Sequence, residues 1–278
     1  MTSGSNDPTP PYLFDQAWEA ERTRLRGLEA YYDAVSIRWL ERTAVGPGWR
    51  CLEVGGGAGS IARWLASRIG PTGHLVVTDL DVRFLDELRS DRVEVRRHDI
   101  TRDDLETGAF DLVHARAVLM HVRGRDRALE RMVGSLRPGG WLVVEEADYG
   151  EAAARAVERY VRSADARAAA ARLNDATIRA VRNAGGDPEF GSLLLARLVG
   201  LGLEEVDVEL CSRLVRGGSD RASFMLHGVE FLGPRLVAAG EVEESDLDQV
   251  RAFLTDRSAF HLGLLPMVSA VGRRPQAP

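Results

Sequence analysis

The chain of 278 residues contains no lysine, so arginine supplies every basic side chain apart from six histidines. That absence excludes a Walker-A phosphate loop, whose lysine reaches the terminal phosphates. It excludes Schiff-base chemistry on a cofactor aldehyde, and it removes the lysine of a Tyr-x-x-x-Lys dehydrogenase. The gap itself reads as codon bias, with no function attached. Cysteine is nearly as scarce: Cys51 and Cys211 are the whole complement. Each falls inside an expected core strand, as a small buried hydrophobe and not half of a disulfide. No apolar run is long enough to span a bilayer. The opening Met1-Thr2-Ser3-Gly4-Ser5-Asn6-Asp7 lacks the basic and apolar regions of a signal peptide. Residues 1–11 are therefore expected to be a disordered tail and the protein cytoplasmic. Basic excess is missing too, and a net charge of −6 argues against a nucleic-acid footprint. What remains, at 45% hydrophobic, suffices for one large α/β core with a helical appendage.

The most informative stretch is Glu53-Val54-Gly55-Gly56-Gly57-Ala58-Gly59. An apolar run, Cys51-Leu52, precedes it and a helical one, Ser60-Ile61-Ala62-Arg63-Trp64-Leu65, follows. This is a strand, a glycine turn and a helix start, where bare backbone can meet a nucleotide-like ligand. A dinucleotide site wants Gly-x-Gly-x-x-Gly, and reading from Gly55 the sixth position is Ser60. Acid-x-Gly-x-Gly-x-Gly, by contrast, is met in full by Glu53, Gly55, Gly57 and Gly59. About twenty residues on, Leu75-Val76-Val77-Thr78-Asp79 ends a strand on an acid placed to bind ribose hydroxyls, and Leu80 follows it. Val93 to Ile100 reads as a third strand ending at Asp99, and Phe110-Asp111-Leu112-Val113-His114-Ala115-Arg116 as a fourth. Leu136-Arg137-Pro138-Gly139-Gly140 then turns into a fifth, running to Glu145.

In this order the features resemble class I S-adenosylmethionine (SAM) methyltransferases: their motif I, their FDLV strand and their L-[KR]-P-G-G turn. Small-molecule enzymes of bacterial natural-product pathways are the nearest in character. The resemblance implies a Rossmann-like, doubly wound sheet of seven strands with an N-terminal helix and a helical lid insertion. It implies SAM as cofactor. Glu53 would serve the methionine portion through the turn, with Gly55, Gly57 and Gly59 permitting close approach. Asp79 and Leu80 would flank the ribose, Asp99 and the Ile100 backbone would hold adenine, and the Ala115 carbonyl would meet the methionine ammonium. Arg116 is a candidate clamp for a SAM or substrate carboxylate, with a surface role the equal alternative. Asp81 competes with Asp79. Glu145, Glu146 and Asp148 resemble a metal cluster only in composition, so no metal is expected.

The acceptor is less legible. Enzymes that methylate base or glutamine amino groups carry [DNS]-Pro-Pro-[YF] after the fourth strand, where this chain has His114-Ala115-Arg116-Ala117. Neither cysteine sits in a Pro-Cys loop, which disfavours cytosine C5 chemistry. A small aromatic or heteroaromatic metabolite remains, methylated at O, N or a nucleophilic carbon, with no nucleic acid or membrane partner and a homodimer possible. His121 is the candidate general base, against the plainer reading of a loop histidine bonded to backbone. Phe224, His227 and Phe231 fall at helical spacing as candidate substrate contacts, against a plain core stripe. Tyr12, Phe14, Trp18, Tyr31 and Tyr32 could close over the cofactor or simply pack. Two other readings keep the fold: a SAM enzyme that transfers no methyl, and a non-catalytic SAM-binding partner.

The expected organisation is a helical segment over 12–45 stopped by Gly46-Pro47-Gly48, a SAM-binding core over 46–218, a helical insertion over 219–262, and a final strand and tail over 263–278. Within these, Glu151 to Asn183 and Gly191 to Val199 read as helices and Leu203 to Leu210 as a strand. Helices over Ala222–Ala239 and Glu244–Thr255 would fill roughly fifty residues before the last strand, Leu264 to Arg273, more than a loop needs.

Overall fold

The computed structural model describes residues 18–150, 161, 163–262 and 266–276. The expectations for the 1–11 tail, for Tyr12 and Phe14, and for a helix over 151–160 lie outside the described residues. Strands β1 (Arg50–Val54), β2 (His74–Asp79), β3 (Val93–Arg97), β4 (Phe110–Arg116) and β5 (Leu136–Ala147) follow in chain order. They are succeeded by β6 (Glu204–Cys211), β7 (Leu214–Arg216), β8 (Phe260–Leu262) and β9 (Met267–Arg273). Seven of them form one sheet in the order β3-β2-β1-β4-β5-β9-β6. Neighbours from β3 to β5 are parallel, and β9 pairs antiparallel with both β5 and β6. β6 therefore runs the same way as β1 to β5, and all six carboxyl ends share one edge. The order reverses between β1 and β4, the switch point where open α/β sheets bind ligands.

Strands buried on both faces need continuous apolar runs, and Cys51, Leu52, Leu75, Val76, Val77, Leu112, Val113, Leu142, Val143 and Val144 are all fully buried. One face is covered by α2 (Ser60–Ile69) and the second half of α1 (Trp18–Arg42), through Val35, Trp39, Leu40, Ile61 and Leu65. The other is covered by α3 (Arg125–Ser135) and the later helix Phe190–Gly200.

A third core lies beyond the sheet edge. It is built from the middle of α1, through Tyr31 and Tyr32, and from α4 (Ala164–Asn183). With the sheet-packing helix Phe190–Gly200 as α5, the remaining members are α6 (Asp220–Ala238) and α7 (Glu244–Thr255). The helix expected from Glu151 is thus described from Ala164, where Ser163 caps it by accepting from the Ala166 N–H at 3.3 Å. Asp246 of α7, 3% exposed, accepts from Arg172 of α4 at 3.1 Å and ties the two helices. The segment holding α6 and α7 leaves and returns through a ribbon that sequence reasoning did not foresee, β7 antiparallel to β8 with Val215 opposite His261.

Cys51 is buried as expected, but Cys211 is only half-buried. The reason is position: β6 is an edge strand, guarded by charge. Arg42 reaches Asp207 at 2.6 Å, and Trp39 Nε1 donates to Glu209 at 3.1 Å.

Candidate cofactor and active site

The glycine turn leaves β1 at the switch point. Gly55, Gly57 and Gly59 all have positive φ, at 72°, 55° and 87°, a region costly for residues with a Cβ. What the glycines make room for differs from the expectation. A Cβ at Gly55 would stand 2.3 Å from a Val118 methyl, and one at Gly59 would stand 2.8 Å from Leu88. Those two positions are closed by the protein's own packing. At Gly57 the nearest atom is Leu25 at 3.5 Å, so this is the open position of the turn.

Asp79 ends β2 beside it. Its carboxylate accepts the Gly57 N–H at 2.9 Å and the Asp81 N–H at 3.0 Å. Burial raises its pKa, against the pull of those backbone donors. Asp81, the rival, turns away to pair with Arg83 at 2.7 Å. Leu80 presents an apolar surface 48% exposed at the strand end. At the end of β3, Asp99 is held in a turn: Thr101 donates from both N–H (2.9 Å) and Oγ1 (2.6 Å) to one carboxylate oxygen. Ile100 is buried behind it.

The end of β4 was expected to serve the cofactor through Ala115 and Arg116. Ala115 is fully buried and paired between Val54 and Val144, one residue inside the sheet; the first turn residue is Ala117, a non-glycine at φ 54°. Arg116 is neither a surface residue nor a free clamp. Its guanidinium, 7% exposed, donates to Asp33 at 2.9 Å and Ser36 at 2.8 Å, both on α1. Asp33 also accepts from Ser60 Oγ at 2.9 Å, and Glu29 accepts the Ser60 N–H at 3.0 Å. Two acids of α1 thus sit on the amino end of α2, where helix N–H groups are unpaired. Burial raises the Glu29 pKa.

Glu53 does not face the turn's open side. It is 3% exposed and lies 2.7 Å from His114 Nδ1, whose Nε2 lies 3.2 Å from Glu145. Ser269 Oγ donates to the other Glu145 oxygen at 2.6 Å. Four side chains on β1, β4, β5 and β9 so form one buried chain beneath the glycine turn. Burial alone would depress His114, but the two carboxylates outweigh it and raise its pKa to about 9. Burial pushes Glu145 the other way, yet the imidazolium's bond and charge leave it below the usual range. His114 was missed by sequence reasoning. Its signal was a polar ring set among the apolar residues Leu112, Val113 and Ala115 of a central strand.

Of the acids that resembled a metal cluster, Glu145 is committed to His114 and Ser269. Glu146 accepts backbone N–H groups after β4, and Asp148 accepts the Gly150 N–H at 2.8 Å. His121 closes the short helical turn Leu119–His121. Burial, with Arg24 of α1 nearby, lowers its pKa to about 4, so it stays neutral at physiological pH. The three lid residues do not form one wall. Phe224 is buried, its ring centroid 5.9 Å from Tyr31 and 6.3 Å from Tyr32; Phe231 packs half-buried beneath Arg235; His227 is exposed. Phe224 and Phe231 follow the core-stripe alternative. Tyr32, fully within the cap, has Tyr149 and Arg116 in electrostatic reach, so Tyr149 joins the group at the ends of β4 and β5.

Residues 52–142 match a family model described as a methyltransferase domain. The ubiquinone/menaquinone biosynthesis C-methyltransferase UbiE of Bordetella parapertussis is 35% identical over 126 residues, covering 43% of this chain and 48% of that protein. UbiE of Ectopseudomonas mendocina is 33% identical over 115 residues, with coverage of 38% and 45%. The chain spans about half the length of the curated relatives it matches. Among solved structures, the [4+2]-cyclase SpnF is 21% identical with a TM-score of 0.54, covering 88% of this chain and 81% of SpnF. A Haemonchus contortus phosphoethanolamine N-methyltransferase 2, bound to phosphomonomethylethanolamine and S-adenosylhomocysteine, is 15% identical with a TM-score of 0.60. It covers 97% of this chain and 61% of that one. The sheet order is that of the Rossmann-like methyltransferase fold, and residues 52–142 match a methyltransferase domain, a match that supports S-adenosyl-L-methionine as the cofactor.

Proposed function

We propose that this protein transfers the methyl group of SAM to a small aromatic or heteroaromatic metabolite. The observation that carries the cofactor half is the junction of Gly57 and Asp79. An open glycine at positive φ lies 2.9 Å from a carboxylate that still has lone pairs for two vicinal hydroxyls. Leu80 offers apolar surface beside it, and the Asp99 turn closes the far end for adenine. Bound there, SAM supplies a methyl on a sulfonium that is already a good leaving group. The protein's part is then to align the acceptor and to exclude water. Glu29 and Asp79 bring carboxylates to that edge of the sheet, suited to a cationic cofactor.

The acceptor half rests on the rings of Tyr31 and Tyr32, with Tyr149, at the ends of β4 to β6. His121, held neutral with a pKa of about 4, is a weak base. That favours an acceptor that attacks before losing its proton, such as an electron-rich carbon or an amine, over an alcohol that must ionise first. The UbiE relatives are named as C-methyltransferases, which supports the carbon reading.

Calorimetric titration with S-adenosylhomocysteine, with NAD in parallel, tests the cofactor assignment. Incubation with SAM and a panel of indoles, phenols and anilines, read by mass, tests the transfer. A product heavier by one methylene supports the proposal. Turnover of an acceptor without added mass would replace it with the reading in which the sulfonium acts without transfer.

A further inference from the structure

The geometry points to Glu146 as a positioning residue: its buried carboxylate holds the turn after β4 in the shape that walls the cofactor cleft. Glu146 is fully buried near the end of β5, on the face of the sheet opposite the His114 chain. One of its oxygens accepts the N–H groups of Val118 (3.1 Å) and Leu119 (2.7 Å), and the other accepts that of Met120 (3.1 Å). Three successive backbone donors converge on one carboxylate, as at an anion-binding nest.

The turn needs such a hold. Ala117, directly before it, takes a left-handed φ of 54° that alanine rarely adopts, and its N–H is bonded to the Glu145 carbonyl at 2.7 Å. Val118 then lays a methyl over Gly55, on the side where a Cβ would stand. His121 follows within the same turn, and the Met120 carbonyl accepts the Asp187 N–H at 2.7 Å. Two consecutive acids on β5 thus divide the work between the faces. Glu145 secures the chain beneath the glycine turn, and Glu146 fixes the turn opposite it. None of this touches a methyl group or an acceptor.

A charged carboxylate without a cationic partner is an expensive way to hold a loop in a core. Burial raises the Glu146 pKa to about 7, against the three backbone bonds that oppose it. Among the described residues the charged group within electrostatic reach is Glu145, itself engaged by His114. The packed elements present Val268 from β9, Gly191 from α5, and Leu119 and Met120 from the turn. A proton on Glu146 removes acceptor capacity facing three donors, so the hold weakens on the acid side.

The inference rests on reading this turn as a wall of the SAM site, and two measurements keep the parts separate. The first is hydrogen exchange of the wild-type protein at pH 6 and pH 8, corrected for intrinsic rates. The amides of Val118, Leu119 and Met120 should exchange about tenfold faster at pH 6, and those of β1 should not. The second is the affinity for S-adenosylhomocysteine. It should weaken about tenfold in Glu146→Gln, and the wild-type loss below pH 7 should vanish in the variant. Unchanged exchange at 118–120, or an E146Q affinity and pH profile equal to wild type, would overturn the proposal. A wild-type protein that binds no S-adenosylhomocysteine would instead sink the cofactor assignment, leaving exchange to judge the hold itself.

Discussion

Replacing His114 by asparagine tests the buried chain beneath the glycine turn. In the folded protein the imidazole sits between Glu53 at 2.7 Å and Glu145 at 3.2 Å, with no solvent exposure. Its pKa rises from 6.5 to about 9. A group whose folded pKa is raised contributes stability that is fully present below its unfolded pKa. That stability is lost as pH rises through the folded pKa, because the folded state binds the extra proton. The window is therefore 6.5 to about 9. The difference of about 2.5 units converts to about 3 kcal/mol at 1.36 kcal/mol per unit. Removing the cation also leaves two carboxylates facing each other without a partner, a loss of about 3–5 kcal/mol for a broken buried pair. Urea unfolding of wild type and His114→Asn at pH 6, 7.5 and 9.5 separates the terms. The gap between the two proteins should be largest at pH 6 and shrink by about 3 kcal/mol by pH 9.5. A gap that is constant with pH, or that widens on the alkaline side, would refute the imidazolium assignment.

The remaining predictions address the cofactor edge and the cap. Asp79→Asn keeps the size but removes the charge facing the Gly57 N–H; its affinity for S-adenosylhomocysteine should fall about tenfold or more by calorimetry, and an unchanged affinity would remove Asp79 from the site. Gly55→Ala must place a Cβ 2.3 Å from Val118 at a φ of 72°, and should cost about 2 kcal/mol of stability in urea. Gly57→Ala, whose nearest neighbour is 3.5 Å away, should unfold closer to wild type while losing cofactor affinity. Phe224→Ala should lower stability by about 3 kcal/mol, because Phe224 packs on Tyr31 and Tyr32. A variant of full stability with altered acceptor choice would restore it as a pocket residue. Arg116→Met strands Asp33 and should loosen α1 from the sheet, read as faster proteolysis within that helix.

The lid residues show how periodicity misleads. Phe224 and Phe231 stand seven residues apart on one face of α6, and that spacing is the same whether the face meets a ligand or another helix. Here it meets α1 and the cap interior. Arg116 shows a related limit. The chain has many arginines and acids, so nothing local says that this one is buried against Asp33, 83 residues earlier. The glycine turn was legible in kind but not in cause, since Val118 and Leu88 fill two of the three positions expected to face a ligand.

The sequence alone determined the sheet, its glycine turn and the acids at the ends of β2 and β3. Those features follow from hydrophobic period, from φ angles open only to glycine, and from spacings within a few residues, all of which act locally. Only the tertiary structure decided that Glu53 serves His114, that Glu146 holds the turn after β4, and that α4 packs with the helical cap. The physical reason is that burial and partner choice belong to pairs brought together by the folded sheet. A carboxylate's role is set by which donors the fold places within hydrogen-bond reach, and most of those donors lie far along the chain.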